Sequence, residues 1–123
     1  MNFLLVFVFV PFFVIWSGYS LLATYDYFSL NKARWSALKH LTLDVKIPPK
    51  NIDGGFEFNG YYLSEKPSYD PLHKNRWWWV EDDTYIVSPV KRKGYRIISI
   101  YPFKSYFSYS FDRLFVLKKG KKI

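Results

Sequence analysis

The first part of the chain is an uncharged, strongly apolar stretch that constrains every later segment. No Asp, Glu, Lys or Arg occurs from Phe3 to Tyr25, and Pro11 is the one interruption of the apolar run from Phe3 to Trp16. As an α-helix these 23 residues would be about 34 Å long, enough to cross a hydrocarbon core of about 30 Å. The sequence therefore predicts one N-terminal membrane-spanning helix, with a kink near Pro11.

A cleaved secretory signal is the main alternative for this stretch. Such a signal needs a basic segment before the apolar run and a pair of small residues at the cleavage site. No Lys or Arg precedes the run, and the nearest small pair, Gly18 and Ser20, is followed by further apolar residues. These features favour an uncleaved single-pass span over a removed signal or the buried helix of a soluble protein.

Aromatic and basic residues follow the span where a headgroup region is expected. Trp and Tyr are enriched at membrane interfaces, and loops on the cytoplasmic side carry an excess of Lys and Arg. The predicted lipid-interface residues are Trp16, Tyr25, Lys32, Arg34, Trp35 and Lys39. Because no basic side chain precedes the span, this rule places the C-terminal part on the cytoplasmic side in a bacterium or the matrix side in a mitochondrion.

The part of the chain after the span is small, basic and aromatic. The net charge is +8, aromatic residues make up 23% of the sequence and there is no cysteine. A domain of this size has a marginal core and no disulfide to stabilise it. Aromatic excess of this kind is typical of interfaces, and the positive charge favours an anionic lipid surface ahead of nucleic acid.

A short amphipathic helix is predicted directly after the span. Ser29 can cap a helix that runs to about Leu43. Its apolar residues fall at helical spacing on one face: Leu30, Ala33, Ala37, Leu38 and Leu41. This face could lie on the bilayer, as in interfacial helices, or pack on the following domain. Both interpretations remain open, and Pro48 and Pro49 end the helix in either case.

The remainder is predicted to form a small antiparallel β domain. Asp53-Gly54-Gly55 and Asn59-Gly60 are turn signals that predict a hairpin over residues 52–64, followed by a loop. Further strands are predicted as a meander over 77–80, 84–88 and 95–101, with an alternating aromatic segment over 103–111 that continues to 117. The fold class is therefore α+β: a transmembrane helix (1–28), an amphipathic juxtamembrane helix (29–47) and a basic β domain with extended proline segments (48–123).

No residue pattern indicates catalysis or metal binding. The two histidines, His40 and His73, lie in unrelated segments, and neither a Gly-x-Ser-x-Gly motif nor a glycine-rich phosphate loop occurs. The run Glu81-Asp82-Asp83 is predicted to be a solvated turn rather than a carboxylate pair. The sequence therefore predicts no enzyme, no metal and no cofactor, and a phospholipid is the one bound small molecule that it leaves open.

The most distinctive cluster is a tryptophan triplet preceded by arginine. In a strand, Trp77 and Trp79 share one face while Trp78 takes the other. Three roles are open: a protein-partner hot spot, core packing, or stacking with single-stranded nucleic acid, and a membrane-bound chain favours the first. The predicted partner-binding residues are Tyr69, Arg76, Trp77, Trp78 and Trp79.

In layout, the chain resembles the supernumerary single-pass subunits of mitochondrial respiratory-chain complexes. The resemblance rests on the span Phe3–Tyr25, the basic flank that follows it, and the cysteine-free aromatic remainder with its proline segments. The heavy use of Phe, Tyr, Lys and Asn is similar to proteins encoded on AT-rich protist mitochondrial genomes. The resemblance implies a non-catalytic accessory subunit of the inner membrane, stabilising assembly from the matrix side, and it transfers no functional residues. The alternative is a membrane-tethered binding protein of the bacterial inner membrane, such as an immunity or inhibitor protein.

Overall fold

The computed structural model describes residues 3–63, 80, 82–107 and 112–120. Its dominant element is α1, an α-helix of 37 residues from Phe3 to Lys39, which continues as a π-helical turn over His40–Asp44. The helix passes through Pro11, and a kink there stays a prediction. By length and composition, α1 is the one helix in the described ranges that is long and apolar enough to cross a membrane.

Ser29 does not begin a second helix, contrary to the prediction. The backbone is helical on both sides of it, and its hydroxyl accepts a hydrogen bond from the backbone N–H of Lys104 at 3.0 Å. A serine caps only where the preceding residue leaves the helix. Here the uncharged span continues straight into the amphipathic segment, so the predicted juxtamembrane helix is the C-terminal half of α1.

The helix ends through a left-handed residue rather than at the prolines. Lys46 has a φ of 60°, and the backbone N–H of Ile47 donates to the carbonyl of Leu41 at 2.9 Å. A left-handed residue after the last turn is a common way to end a helix. Pro48 then follows in extended conformation, with φ −59° and ψ 136°.

The predicted hairpin over 52–64 is wrong, because most of that segment is helical. A short strand β1 (Ile52–Asp53) leads into helix α2 (Phe56–Leu63). The buried residues of α2 are Phe58, Asn59 and Leu63, which have helical spacing. Asn59 is not a turn residue: its amide accepts from the Gly54 N–H at 3.0 Å and donates to the Asp53 carboxylate at 2.9 Å.

The sheet contains the predicted later strands in an order that the sequence did not indicate. Strands β2 (Tyr85–Ser88), β3 (Tyr95–Pro102) and β4 (Arg113–Lys119) match the predicted segments, but the spatial order is β1-β2-β4-β3. β4 thus separates β2 from β3, so the described strands form no meander. The sheet is also mixed rather than antiparallel, because β1 pairs in parallel with β2, and parallel pairing requires a crossover such as the one that contains α2.

The alternating aromatic segment after β3 leaves the sheet. Residues 103–107 are irregular, whereas a strand was predicted, because their hydrogen bonds go to α1 and to the β4 end of the loop. The backbone N–H of Phe103 donates to the carbonyl of Asp112 at 2.9 Å. The predicted strand residues 108–111 lie outside the described residues.

The core lies between the C-terminal half of α1 and the sheet. Its buried residues come from α1 and the π-helical turn that follows it (Ala33, Ala37, Leu38, Leu41), from β1 and α2 (Ile52, Phe58) and from β2 and β4 (Val87, Leu114, Val116). The amphipathic face predicted from the sequence is therefore the face that packs on the domain. Of the two interpretations left open, the structure supports packing over an interfacial helix, because Ala37 and Leu38 are at most 1% exposed.

Candidate functional site

The N-terminal half of α1 is an apolar surface that no described part of the chain covers. Large side chains around its circumference are more than half exposed, among them Phe7, Phe12, Phe13, Ile15 and Trp16. A helix that is hydrophobic all round belongs in a protein core or a membrane. The described part of the domain does not cover this surface, which therefore has the composition of a surface that contacts lipid or another protein.

Residues 104–107, in the loop that follows β3, contact α1 and extend towards its apolar half. The Lys104 N–H bonds to Ser29, the Ser105 hydroxyl donates to Asp26 at 2.6 Å, and the N–H groups of Tyr106 and Phe107 donate to Asp26 at 2.8 to 3.0 Å. One carboxylate therefore receives three neighbouring donors from the loop. This cluster, Asp26 with residues 104–107, is called the junction below.

Two contacts between aromatic rings extend the junction along α1 towards its N-terminus. The Tyr106 ring packs edge-on against Tyr25 at a centroid distance of 5.2 Å, and the Phe107 ring packs on Tyr19 at 4.9 Å. Both loop rings nevertheless remain about half exposed. The loop thus reaches a level on α1 that belongs to the uncharged stretch, while part of each ring faces away from the protein.

An apolar groove opens beside the junction. It has a volume of about 350 Å³, near the low end of the range for small-molecule sites. Its walls combine α1, the segment after β2 and the loop: Asp26, Tyr27, Leu30, Pro89, Val90, Phe103, Ser105 and Phe107. Because Asp26 is already bonded to the loop, the groove offers mainly apolar contact.

A second attachment joins α2 to α1. Glu57 accepts from the Tyr27 hydroxyl at 3.0 Å and from Arg34 at 3.3 Å. Its own backbone N–H, then Tyr27 and Arg34, hold the pKa of Glu57 below its usual value against the opposing effect of desolvation. Together with the junction, this attachment ties the domain to α1 at two places, through α2 and through the loop after β3.

The predicted lipid-interface residues differ in their surroundings. Trp16 and Tyr25 lie on the exposed helix, and Lys32 and Lys39 are exposed beyond it. Arg34 is instead turned towards the domain, bonding to Asn31 and Glu57, with only 17% of its side chain exposed. Trp35 is 44% exposed and has one edge against Phe58, so it too is partly engaged with the domain.

The predicted partner-binding residues lie outside the described residues. This applies to Tyr69, Arg76, Trp77, Trp78 and Trp79, and also to His73. Their roles therefore stay predictions.

The contacts of Asp26 and Ser29 with the loop are the feature of the candidate site that the sequence analysis missed. A signal was present, because Asp26 is the first charged residue after the uncharged stretch Phe3–Tyr25 and a charge at such a boundary needs a partner. Nothing in the sequence indicated that its partner lies 80 positions away.

Polar clusters elsewhere in the described ranges show no metal-ligating arrangement. No group of three or more His, Cys, Asp or Glu in those ranges could hold a metal ion. A smaller cavity of about 140 Å³ is lined by Asp53, Asn59, Ser88 and Arg92, among others. The side-chain amide of Asn59 is hydrogen-bonded to Asp53 and Gly54, so its polar atoms stabilise the local fold.

No protein-family model, curated protein or solved structure matches the chain.

Proposed function

We propose that this protein is a non-catalytic, single-pass membrane subunit that stabilises a multi-subunit membrane protein complex. The observation that carries the proposal is the apolar half of α1, exposed around its circumference and continuous with the helix that forms part of the domain core. A helix used only as a tether needs no such continuity. A continuous helix with two side-chain attachments fixes the domain relative to the membrane, which suits a structural role.

Exposed apolar side chains on the domain support a protein partner. Tyr61 on α2 is 77% exposed and Ile100 on β3 is 51% exposed. In the spatial order of the described strands, β3 lies at the edge of the sheet. Edge strands and clustered exposed apolar residues are typical interaction sites.

The finer part of the proposal concerns the membrane and the complex. The single-pass layout and the basic residues that follow the span, including the exposed Lys32 and Lys39, support an accessory subunit of a respiratory complex. The resemblance in layout favours the mitochondrial inner membrane, and in that membrane the positive-inside rule places the domain on the matrix side. Electron carriers and catalysis would belong to other subunits.

A membrane-tethered binding protein, such as an immunity or inhibitor protein of a bacterial inner membrane, is the second candidate. The specific observation in its favour is that the described sheet presents β3 as an edge strand, and edge strands are typical sites for binding an added strand. Such a protein would bind one soluble partner rather than join a membrane assembly. The two candidates therefore differ in the size and membrane content of the complex.

The test is mild detergent extraction of native membranes, native gel separation and mass spectrometry of the band that contains the chain. We expect migration with a large membrane assembly. The variant Tyr61→Asp should reduce this co-migration without releasing the chain from membranes, whereas Lys93→Asp, an exposed change on the β2–β3 turn, should leave it intact. Migration as a free small protein would contradict the subunit function, and a single soluble partner would favour the second candidate.

A further inference from the structure

The contacts of residues 104–107 with α1 follow a regular progression along the helix. Lys104 contacts Ser29, residues 105 and 106 contact Asp26, Tyr106 contacts Tyr25 and Phe107 contacts Tyr19. From Ser29 to Tyr19 the helix rises about 15 Å. The loop backbone bonds to α1 at the levels of Ser29 and Asp26, and the Phe107 ring extends the contact to Tyr19, nearer the N-terminus.

The end of this path lies at a depth that the length of the span fixes. A hydrocarbon core of about 30 Å takes about 20 helical residues. If it begins at Phe3, it ends near Leu22. Tyr19 then lies about 5 Å inside the boundary and Tyr25 about 5 Å outside it. A hydrocarbon region that began later on the helix would place Tyr19 deeper, so Phe107 reaches the hydrocarbon edge in either case.

Backbone N–H groups of the loop have the hydrogen-bond partners that such a position requires. Irregular backbone near membrane depth is tolerated where protein partners satisfy its polar groups. The N–H groups of Lys104, Tyr106 and Phe107 all donate to α1 side chains, and the Ser105 hydroxyl donates to Asp26. The polar donors at this end of the loop thus point into the protein.

The loop side chains show the opposite arrangement. Tyr106 is 58% exposed and Phe107 is 48% exposed, although each has one ring contact with α1. Aromatic rings with an apolar body are the residues that membrane interfaces favour. Lys104, also exposed, precedes them at the level of Ser29, where a basic side chain can reach lipid phosphates.

We propose that residues 104–107 form a second membrane-contact element, in which Tyr106 and Phe107 insert into the bilayer interface beside α1. The proposal rests on α1 being the membrane span of the proposed function. Its ligand is the lipid surface itself: acyl chains around the rings and anionic headgroups near Lys104. The domain would then touch the bilayer at two adjacent points, which fixes its rotation about the helix axis as well as its distance from the membrane.

The absence of cysteine from the sequence makes a direct depth measurement practical. Single-cysteine variants of the full chain, Phe107→Cys and Tyr106→Cys, would carry an environment-sensitive fluorophore and be reconstituted into phosphatidylcholine vesicles containing phosphatidylserine. Ile15→Cys serves as the membrane-embedded reference. Lys93→Cys serves as the aqueous reference, because it precedes β3 at the end opposite the loop. Lipids with a nitroxide near the headgroup end of the acyl chain and lipids with one near its methyl end are compared, and the ratio of their quenching gives the depth of each probe.

We expect the probes at 106 and 107 to be strongly quenched by the lipids with the nitroxide near the headgroup end, with blue-shifted emission, while the probe at 93 stays unquenched. An unquenched probe at 107 beside a quenched probe at 15 would overturn the proposal while leaving the membrane span intact, and would assign the two rings to a protein partner. Unquenched probes at both 15 and 107 would contradict the span and hence the proposed function. Circular dichroism of each labelled variant ensures that the compared proteins are folded.

Discussion

Asp26 and Tyr106 are joined across 80 positions of sequence by a hydrogen bond of 2.8 Å between the Tyr106 backbone N–H and the Asp26 carboxylate. Asp26 is the first charged residue of the helix, and Tyr106 belongs to the loop that leaves the sheet after β3. The contact makes Asp26, at the boundary of the uncharged stretch of α1, a docking point for the loop. Removing it tests whether the loop is held by this carboxylate.

Asp26→Ala should release the loop from α1. The Ser105 hydroxyl and the N–H groups of Tyr106 and Phe107 would lose their acceptor, so we expect faster hydrogen exchange at residues 105–107, with the sheet unaffected. Asp44→Ala is the matched control. It removes a carboxylate from the π-helical turn that follows α1, and that carboxylate bonds to His40 rather than to the loop. Unchanged protection at residues 105–107 would show that ring contacts alone hold the loop. Exchange measured by mass spectrometry in detergent micelles gives the answer.

Gly54→Ala should destabilise the domain by about 1 to 3 kcal/mol through overpacking. An added Cβ would lie 2.5 Å from a ring carbon of Phe58 and 2.7 Å from Leu38, and both of those side chains are fully buried. Gly60→Ala is the control, since nothing lies within 4 Å of its added Cβ and the change should stabilise α2 by up to about 1 kcal/mol. Denaturant unfolding in micelles measures both, and equal stabilities would contradict the packing described for Gly54.

The Glu57 attachment should give the stability a pH dependence in the acid range. Because the folded-state pKa of Glu57 is lowered, its contribution is present above the unfolded-state value of about 4.3 and is lost as the pH falls through the folded-state pKa. Glu57→Gln should therefore cost up to about 1 kcal/mol at pH 7, a small value because the carboxylate is 39% exposed.

The difference between wild type and Glu57→Gln should shrink towards zero at low pH. Thermal unfolding followed over a pH series measures it. Asp112→Asn is the control, because its ion pair with Arg113 is well exposed on both sides. If the loss of stability in Glu57→Gln did not change with pH, the negative charge of the carboxylate would make no contribution, and its hydrogen bonds would account for the whole effect.

A fragment that begins at Pro48 should not fold. It lacks Ala33, Ala37, Leu38 and Leu41, which are four of the nine buried residues in the described core. Full-length Leu38→Ala should lose about 2 to 5 kcal/mol for the same reason, whereas Leu43→Ala, 61% exposed, should be close to neutral. Near-ultraviolet circular dichroism and denaturant unfolding distinguish these cases. A cooperatively unfolding fragment would show that the sheet is stable without α1.

Local patterns in the sequence predicted several elements correctly because their causes are local. The apolar helix follows from a run of uncharged residues, and the face with Ala33, Ala37 and Leu41 follows from helical spacing, which the buried core confirms. The strands at 85–88 and 95–102 follow from β-branched and aromatic content.

Only the tertiary structure decided how the elements join. Asn59-Gly60 has the signature of a tight turn, but the Asn59 side chain is needed by Asp53 and Gly54, so a helix forms there instead. The strand order places β4 between β2 and β3, and Leu114 and Val116 of β4 join the buried core with α1. Asp26 appeared in the sequence as a boundary charge, and its partners became defined only when the loop after β3 folded back onto the helix. Spacing along the chain determines local conformation, whereas pairings across 80 residues depend on the shape of the whole fold.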